Sequence, residues 1–544
     1  MPKMTGGQAI VRSLLDHGVD TVFGVPGIQL DNLFDAFYER RNNLRVVHTR
    51  HEQGAAFMAM GYAQASGRTG VFCVVPGPGL LNSLTALATA HSANLPVLGL
   101  TGQIPSDQIG RNYGIAHELK DQLMVSRGIV DWVERGNHPS EVPGLLRDAF
   151  LWMHTGRKSP AVFEMAPDIL GSAAPVEPLP PAAHAAAPEP DSELVADAAE
   201  KLAQARRPLI LAGGGALDAG AALKRVAERL GAPVVMTPNA LGALPADHPL
   251  AVGMVEGQEL WQEADVALVV GSRFTTQGLA WGREAEVELV RIDIDATQVV
   301  KPRRAAVALV TSAARGLEAL DRALAGRPAP AEPAWPDLAE VREAAQKRFD
   351  ELEPLAGYAR ALRAALPRDG LIFADVTRFS VFIRFAMPIY APRSFFMPGY
   401  QATLGWSYPA ALGAKVACPE RKVVAVSGDG GFLFTSSELA TAVHHRIPVT
   451  VIVFDNKAYG NVKTIQANSY GGRHIAVDLS NPDFVAMARA FGMTADRVEA
   501  PEQLEAVLRR HLEAEAPSLI EVPLMEAPNV WSLVRRASSA GVRA

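Results

Sequence analysis

At 544 residues the chain is too long for one small module, and at roughly 150 residues per domain it has room for three or four separate cores. Hydrophobic residues make up 48% and charged residues 20%, a globular composition that excludes a disordered chain. The formal net charge of −6, with no basic run beyond Arg303-Arg304 and its neighbours, gives no footing for nucleic acid or an anionic membrane, so the expected partner is a small-molecule substrate. Two cysteines, Cys73 and Cys418, build neither a disulfide framework nor a zinc site. The opening Met1-Pro-Lys-Met-Thr-Gly-Gly carries no signal-type apolar stretch, and no apolar run reaches the ~18 residues of a membrane span. The expectation is a soluble, cytoplasmic protein.

In chain order, the apolar runs Thr21–Gly24, Val71–Val75 and Pro96–Leu100 alternate with helical patterns at Gln8–His17 and Glu52–Ala65, the βα rhythm of a parallel sheet. A Pro/Ala-rich stretch from Gly171 to about Glu193 reads as a linker. The rhythm resumes with strands at Pro208–Ala212, Val266–Val270 and Leu289–Ile294 and a helix at about Ala219–Leu230. A second Pro/Ala stretch, Ala325 to Asp337, is followed by a strand at Lys422–Ser427, a helix at Phe434–His445 and a strand at Val449–Phe454. The linkers divide the chain into residues 1–172, 190–328 and 350–544, each expected to be a doubly wound α/β domain with a parallel sheet. Gly213-Gly214-Gly215 lacks the G-x-G-x-x-G spacing, and a glycine-rich turn after a strand is common in any α/β fold.

The chemistry concentrates in the last part. Gly428-Asp429-Gly430-Gly431 follows one strand and opens a helix, and Asp455-Asn456 ends the next strand, Asn456 lying 27 positions after Asp429. A right-handed crossover of that length brings both strand ends to one carboxyl edge, where open α/β sheets bind ligands. A carboxylate and an amide oxygen are hard donors suited to Mg²⁺ or Ca²⁺, and glycines at a helix start free backbone N–H groups for a phosphate. The pattern points to a metal-bridged diphosphate; the alternative is a glycine turn beside a strand-ending Asn.

These residues resemble the thiamine diphosphate motif, Gly-Asp-Gly followed after about 25–30 residues by Asn-Asn, with Asp455 in place of the first Asn. Val22-Phe-Gly-Val-Pro-Gly27, Thr49-Arg-His-Glu-Gln53, Pro76-Gly-Pro-Gly-Leu-Leu-Asn82, Leu100-Thr-Gly-Gln103 and Leu404-Gly-Trp-Ser-Tyr-Pro-Ala-Ala411 are similar to segments of acetohydroxyacid synthases, benzaldehyde lyase and pyruvate and benzoylformate decarboxylases. The resemblance implies pyrimidine-binding, central and pyrophosphate-binding domains in that order, with thiamine diphosphate and Mg²⁺ as cofactors. It implies that Glu52 shares a proton with N1′ of the cofactor's pyrimidine ring, and that Asp429, Asn456 and the Ala458 carbonyl hold Mg²⁺. Gly430, Gly431, Gly460 and Asn461 would lie against the diphosphate, and Asn82 stands in a segment expected to line the cofactor. Leu404 would wedge beneath the cofactor, and the Ala402 carbonyl would receive its aminopyrimidine. Relatives commonly have Gly at 402, and an Ala is expected to be harmless to a backbone contact. Thr377, Arg378 and Phe379 align with a loop touching the diphosphate, where Arg378 either adds a charge-assisted bond or stays solvated.

On the substrate side, His117 aligns with a loop that supplies active-site side chains in relatives and is a candidate proton shuttle, and Gln29 is a candidate hydrogen-bonding partner for substrate. His51 is expected to be packed or hydrogen-bonded, and the adjacent His444 and His445, on different faces of a helix end, to be solvated. The resemblance implies a carbon–carbon lyase or carboligase acting on 2-keto acids or 2-hydroxy ketones, acetolactate synthase-like, working as a homodimer or dimer of dimers. Ser106-Asp107 stands where those synthases have an Arg-rich stretch, and Ala166-Pro-Asp168 lacks their lysine. No flavin-contacting His-Gly loop is evident, which implies no tightly held FAD. A 2-keto acid or benzoylformate decarboxylase is the alternative. A 2-hydroxyacyl-CoA lyase, with an ADP moiety met by Gly213–Gly215 and Arg535-Arg536, is another. A catalytically silent homologue would have no reason to keep Glu52, Asp429 and Asn456 together.

Overall fold

The computed structural model describes residues 1–283, 286–326 and 334–534. Arg535-Arg536 and part of the second Pro/Ala stretch lie outside the described residues. Three six-stranded sheets are present, every neighbouring pair of strands parallel. Their central strands hold continuous apolar runs such as Val71–Val74 and Val451–Val453, buried throughout, as expected where helices cover both faces of a parallel sheet.

The first sheet (Thr21–Gly24, Arg45–His48, Gly70–Val74, Val97–Gly102, Trp132–Gly136, Ala161–Met165) has the spatial order 2-1-3-4-6-5 in its own sequence numbering. The third (Leu371–Ala374, Phe395–Phe396, Val423–Gly428, Thr450–Asp455, Thr494–Arg497, Ser518–Pro523) repeats that order. The middle sheet (Pro208–Ala212, Val234–Met236, Ala251–Val252, Val266–Val270, Glu288–Asp293, Val307–Val310) runs 3-2-1-4-5-6. In each sheet the order reverses beside its first strand, and crevices open there at the carboxyl ends. In the two outer sheets these crevices fall after Gly24 and Val74, and after Ala374 and Gly428. In the middle sheet the crevice is closed by its own glycines: Gly213 and Gly215 donate backbone N–H groups to the Val270 and Gly271 carbonyls at 2.8 and 3.1 Å.

One hydrophobic core runs from the first sheet through the Glu52–Ser66 and Ser407–Ala417 helices into the third sheet. Residues 54–65 of the first helix are all buried. The crossing depends on two glycines. A methyl group on Gly61 would stand 1.8 Å from the Ala410 carbonyl oxygen, and one on Gly413 1.9 Å from that of Met58.

Two expectations change. The stretch after Gly171 is not a free linker at its start, because Ala173–Pro175 pairs antiparallel with Lys3–Thr5 and the Ala182 N–H donates to His17 Nε2 at 3.1 Å. The continuous helix expected over Phe434–His445 is broken: a short helix, Asp429–Leu433, ends before Thr435, a 3-10 turn covers Ser436–Glu438, and only Leu439–His445 is α-helical. Glu438 is the reason, since its carboxylate turns inward to serve another segment.

Candidate active site

The third sheet's carboxyl edge gathers three strand ends. Asp429, 3% exposed, begins the helix after Val423–Gly428, and Asp455 closes the next strand. Asn481 Nδ2 donates to both carboxylates, at 2.8 Å to Asp429 and 2.7 Å to Asp455. Burial, and then the neighbouring Asp455 carboxylate, push Asp429 well above the ordinary range for an aspartate. One amide between two buried carboxylates leaves their charge under-compensated, and Asn481 Oδ1 is itself buried without a hydrogen-bond partner. A divalent cation is the ordinary remedy for such a set.

Asn456 follows directly, its Oδ1 accepting the Ala458 N–H at 3.2 Å, while Lys457 between them is held at φ 53°. Bonds from Tyr459 N–H to Val477 and from Leu479 N–H to Lys457 flank Ala458, and neither uses its carbonyl. The Asp429 carboxylate, the Asn456 amide oxygen and the Ala458 carbonyl are all hard oxygen donors, so they fit Mg²⁺. Gly460 is required beside them, since a methyl group there would lie 2.5 Å from Asn456 Nδ2. A Cβ on Gly430 would meet the Tyr459 ring at 2.6 Å, and one on Gly431 the Asp375 carboxylate at 2.9 Å. Asn461 opens the Gly460–Ser469 helix, none of whose residues is buried.

Asp375 ends the strand at the switch point and is 1% exposed. Its carboxylate accepts Gly405 N–H at 2.9 Å, Val376 N–H at 3.1 Å and the Ser427 hydroxyl at 3.2 Å; burial nevertheless pushes its pKa up to about 6. Through Gly405 it fixes the turn that presents Leu404, which stands between two left-handed residues, Ala402 (φ 50°) and Gly405 (φ 76°). The Ala at 402 is therefore not conformationally neutral, contrary to the expectation that it is harmless, because an L side chain is strained in this left-handed region. Thr377 caps the Arg378–Ala386 helix by accepting the Ser380 N–H. Phe379, buried in that helix, stacks on Phe454. The Arg378 guanidinium is engaged, donating to the Ala527 carbonyl and the Thr464 hydroxyl.

The first sheet carries the second cluster. Glu52 opens the Glu52–Ser66 helix, capped by His51, whose Nδ1 accepts the Gln53 N–H at 3.1 Å. Asn82 Nδ2 donates to Glu52 Oε2 at 3.0 Å, so Asn82 orients this carboxylate. Gln29 and His117, 88 positions apart, meet: His117 Nδ1 and Gln29 Oε1 are 2.7 Å apart, and Gln29 Nε2 donates to the Ala116 carbonyl at 3.2 Å. An amide oxygen only accepts, so His117 donates from Nδ1 to Gln29 and its Nε2 points away from that bond. Among the described residues no hydrogen bond joins Glu52, Asn82, Gln29 or His117 to the Asp429–Asn456 group.

Three residues at the site escaped sequence reasoning: Asp375, Asn481 and Glu438. Asp375 has the signal used for Asp429 and Asp455, an aspartate closing an apolar strand. Glu438 is fully buried, and its carboxylate accepts backbone N–H groups of Arg50 at 3.2 Å and His51 at 3.0 Å and the Thr441 hydroxyl at 2.5 Å. It holds the segment leading into Glu52 from the third domain, and Gly54 lacks the Cβ that would strike it. Of the two histidines expected to be solvated, His444 is exposed as expected while His445 is half-buried, and both rings pack on that of His48.

Two like sheets thus carry crevices at their carboxyl edges, one offering oxygen ligands beside a glycine turn and the other a carboxylate at a helix start. Family models agree along the chain: "Thiamine pyrophosphate enzyme, N-terminal TPP binding domain" matches residues 4–125, the central domain of the same family 195–320, and its C-terminal TPP binding domain 375–522. The chain belongs to the thiamine pyrophosphate (thiamine diphosphate) enzyme family. It is 36% identical over 530 residues to a probable 2-ketoarginine decarboxylase of Pseudomonas aeruginosa, covering 95% of this chain and 94% of the relative. It is 33% identical to a probable acetolactate synthase large subunit of Methanocaldococcus jannaschii (95% and 92% covered) and 33% identical to acetolactate synthase isozyme 3 large subunit of Escherichia coli (94% and 93%).

Proposed function

We propose that the protein is a thiamine diphosphate- and Mg²⁺-dependent carbon–carbon lyase whose donor is a 2-keto acid, with the decarboxylation product either released as an aldehyde or joined to a second carbonyl. When bound, the cofactor supplies a carbon nucleophile and an electron sink for the bond that breaks. Asp429, Asn456 and the Ala458 carbonyl would hold the metal, and Leu404, presented by the Asp375-anchored turn, would support the cofactor from below. Glu52, oriented by Asn82 and by the Glu438 clamp on the segment before it, would share a proton with the pyrimidine ring.

The observation that carries the reading is the Gln29–His117 pair. It places an imidazole, held through Nδ1, on the loop beside Gly77, whose missing Cβ leaves room for the His117 backbone. Such a group moves a proton to and from the reacting oxygen or carbon. The two departures from acetolactate synthases fall together: Ser106 donates its N–H and hydroxyl to Asp168 at 2.9 and 2.6 Å, closing the segment where those enzymes carry cationic side chains. This favours a decarboxylase or lyase over acetolactate synthase itself, in line with the similarity to the probable 2-ketoarginine decarboxylase.

Each active site is inferred to need two chains, since Glu52 and the Asp429 group belong to separate clusters within one. The exposed apolar Val462, Ile465, Tyr470 and Ile475, on and after the wholly unburied Gly460–Ser469 helix, suit a second copy. The test is a panel of aliphatic, aromatic and guanidino 2-keto acids, with and without an aldehyde acceptor, read by CO₂ release and product mass. CO₂ release matched by aldehyde or hydroxy ketone is expected. Turnover confined to 2-hydroxyacyl thioesters would overturn the reading.

A further inference from the structure

His48 ends the second strand of the first sheet, and His444 and His445 end the Leu439–His445 helix of the third domain, nearly four hundred positions later. Their rings form a closed triangle, with centroids 4.6 Å apart for His48–His444, 4.7 Å for His48–His445 and 4.7 Å for His444–His445. One ring nitrogen from each lies within 4.8 Å of the other two, and among the described residues no other trio of His, Cys, Asp or Glu side chains converges in this way. Adjacent histidines on a helix diverge; here His48 sits where it touches both.

We propose that His48, His444 and His445 form a three-imidazole site for a borderline divalent transition cation of the Zn²⁺ type, with water completing the shell. Two observations support it independently of the cofactor site. The donors are all nitrogen, a set that suits Zn²⁺, Ni²⁺ or Cu²⁺ and disfavours Mg²⁺, so the ion differs in class from that held by Asp429 and Asn456. His445 Nε2 lies 3.1 Å from the His48 carbonyl oxygen, which only accepts. That bond fixes the tautomer and anchors the ring by its second nitrogen, as metal-binding imidazoles are ordinarily anchored.

The charged groups nearby are Arg45 and Arg50, both exposed to solvent that screens them. Tetrahedral Zn²⁺ with Zn–N of about 2.0–2.1 Å asks for nitrogens about 3.4 Å apart, a closure reached by rotating the rings. The ion would tie strand Arg45–His48 to the last turn of a helix whose first residue follows the Glu438 clamp. Both ends of that short helix would then grip the segment leading to Glu52.

The experiment is calorimetric titration of Zn²⁺ into enzyme already saturated with Mg²⁺ and thiamine diphosphate, in the parent and in His48→Ala and His444→Ala variants, with Co²⁺ absorption as a geometric readout. Expected are one Zn²⁺ per chain, affinity lowered at least tenfold in each variant, a tetrahedral Co²⁺ spectrum in the parent alone, and a melting temperature raised by Zn²⁺ in the parent alone. His444 is exposed, so its variant remains informative if His48→Ala folds poorly. Equal Zn²⁺ affinity in the parent and the His444→Ala variant, or no saturable binding in the parent, would overturn the proposal.

Discussion

Replacing Glu52 by Gln removes a proton that can be shared and little else, because Asn82 can still bond the amide oxygen and the metal and diphosphate contacts come from other elements. Glu52→Gln should leave thiamine diphosphate affinity within a few-fold of the parent while C2 hydrogen–deuterium exchange and turnover fall together by about 10²–10⁴. Unchanged C2 exchange would reduce Glu52 to a helix-start residue. Asp375 gives a pH signature. Its folded pKa of about 6 lies above the ordinary value of 3.8. Its contribution to stability is thus fully present below about pH 4 and is lost as pH rises through 6. Subtracting the pH–stability curve of Asp375→Asn from that of the parent should leave a fall of about 2–3 kcal/mol across that window. Ala402, at φ 50°, should be relieved by Ala402→Gly, which is expected to stabilise by up to about 1 kcal/mol in urea unfolding. Asp429 and Asn456 were legible as a pair because strand ends and a crossover length place them, whereas Glu52 was singled out only through the resemblance of its segment to the thiamine diphosphate enzymes. Asn481 and Glu438 were not, since what makes them important is a partner 26 or more positions away, and in the case of Glu438 387 positions away.

The crossing of Glu52–Ser66 with Ser407–Ala417 puts backbone against backbone, with no side chain available to yield. Gly61→Ala should therefore destabilise, by about 1–3 kcal/mol from overpacking, despite the helix propensity that Ala adds. Gly144, in the Val142–His154 helix with nothing within 4 Å of its would-be Cβ, is the control. There the same substitution should gain up to about 1 kcal/mol, and opposite shifts in melting temperature are the expected pair. The strands at Thr21–Gly24, Pro208–Ala212 and Val266–Val270 were readable to the residue, because a parallel strand buried on both faces is a continuous apolar run cut off by a turn. The helix expected over Phe434–His445 was misjudged because local periodicity cannot register that Glu438 is drawn inward by a distant backbone. The pairing of Ala173–Pro175 with Lys3–Thr5 was hidden likewise, Pro/Ala composition saying nothing of where a passing strand lies.

At the scale of the whole molecule, the smallest active species is expected to be a homodimer, and a fully active monomer in sedimentation at assay concentration would refute this. The glycine crossing adds something sharper. It welds the Glu52-bearing helix to the third domain of its own chain, and the Glu438 clamp holds the approach to that helix, so Glu52 has no freedom to swing toward the diphosphate cluster of the same polypeptide. Two inactive proteins should then repair one another. Chains carrying Glu52→Gln, unfolded and refolded together with chains carrying Asp429→Ala, pair at random, and each mixed dimer contains one site with both defects and one with neither. Activity should return to about one quarter of the parent's, although no molecule in the tube contains an unmutated chain.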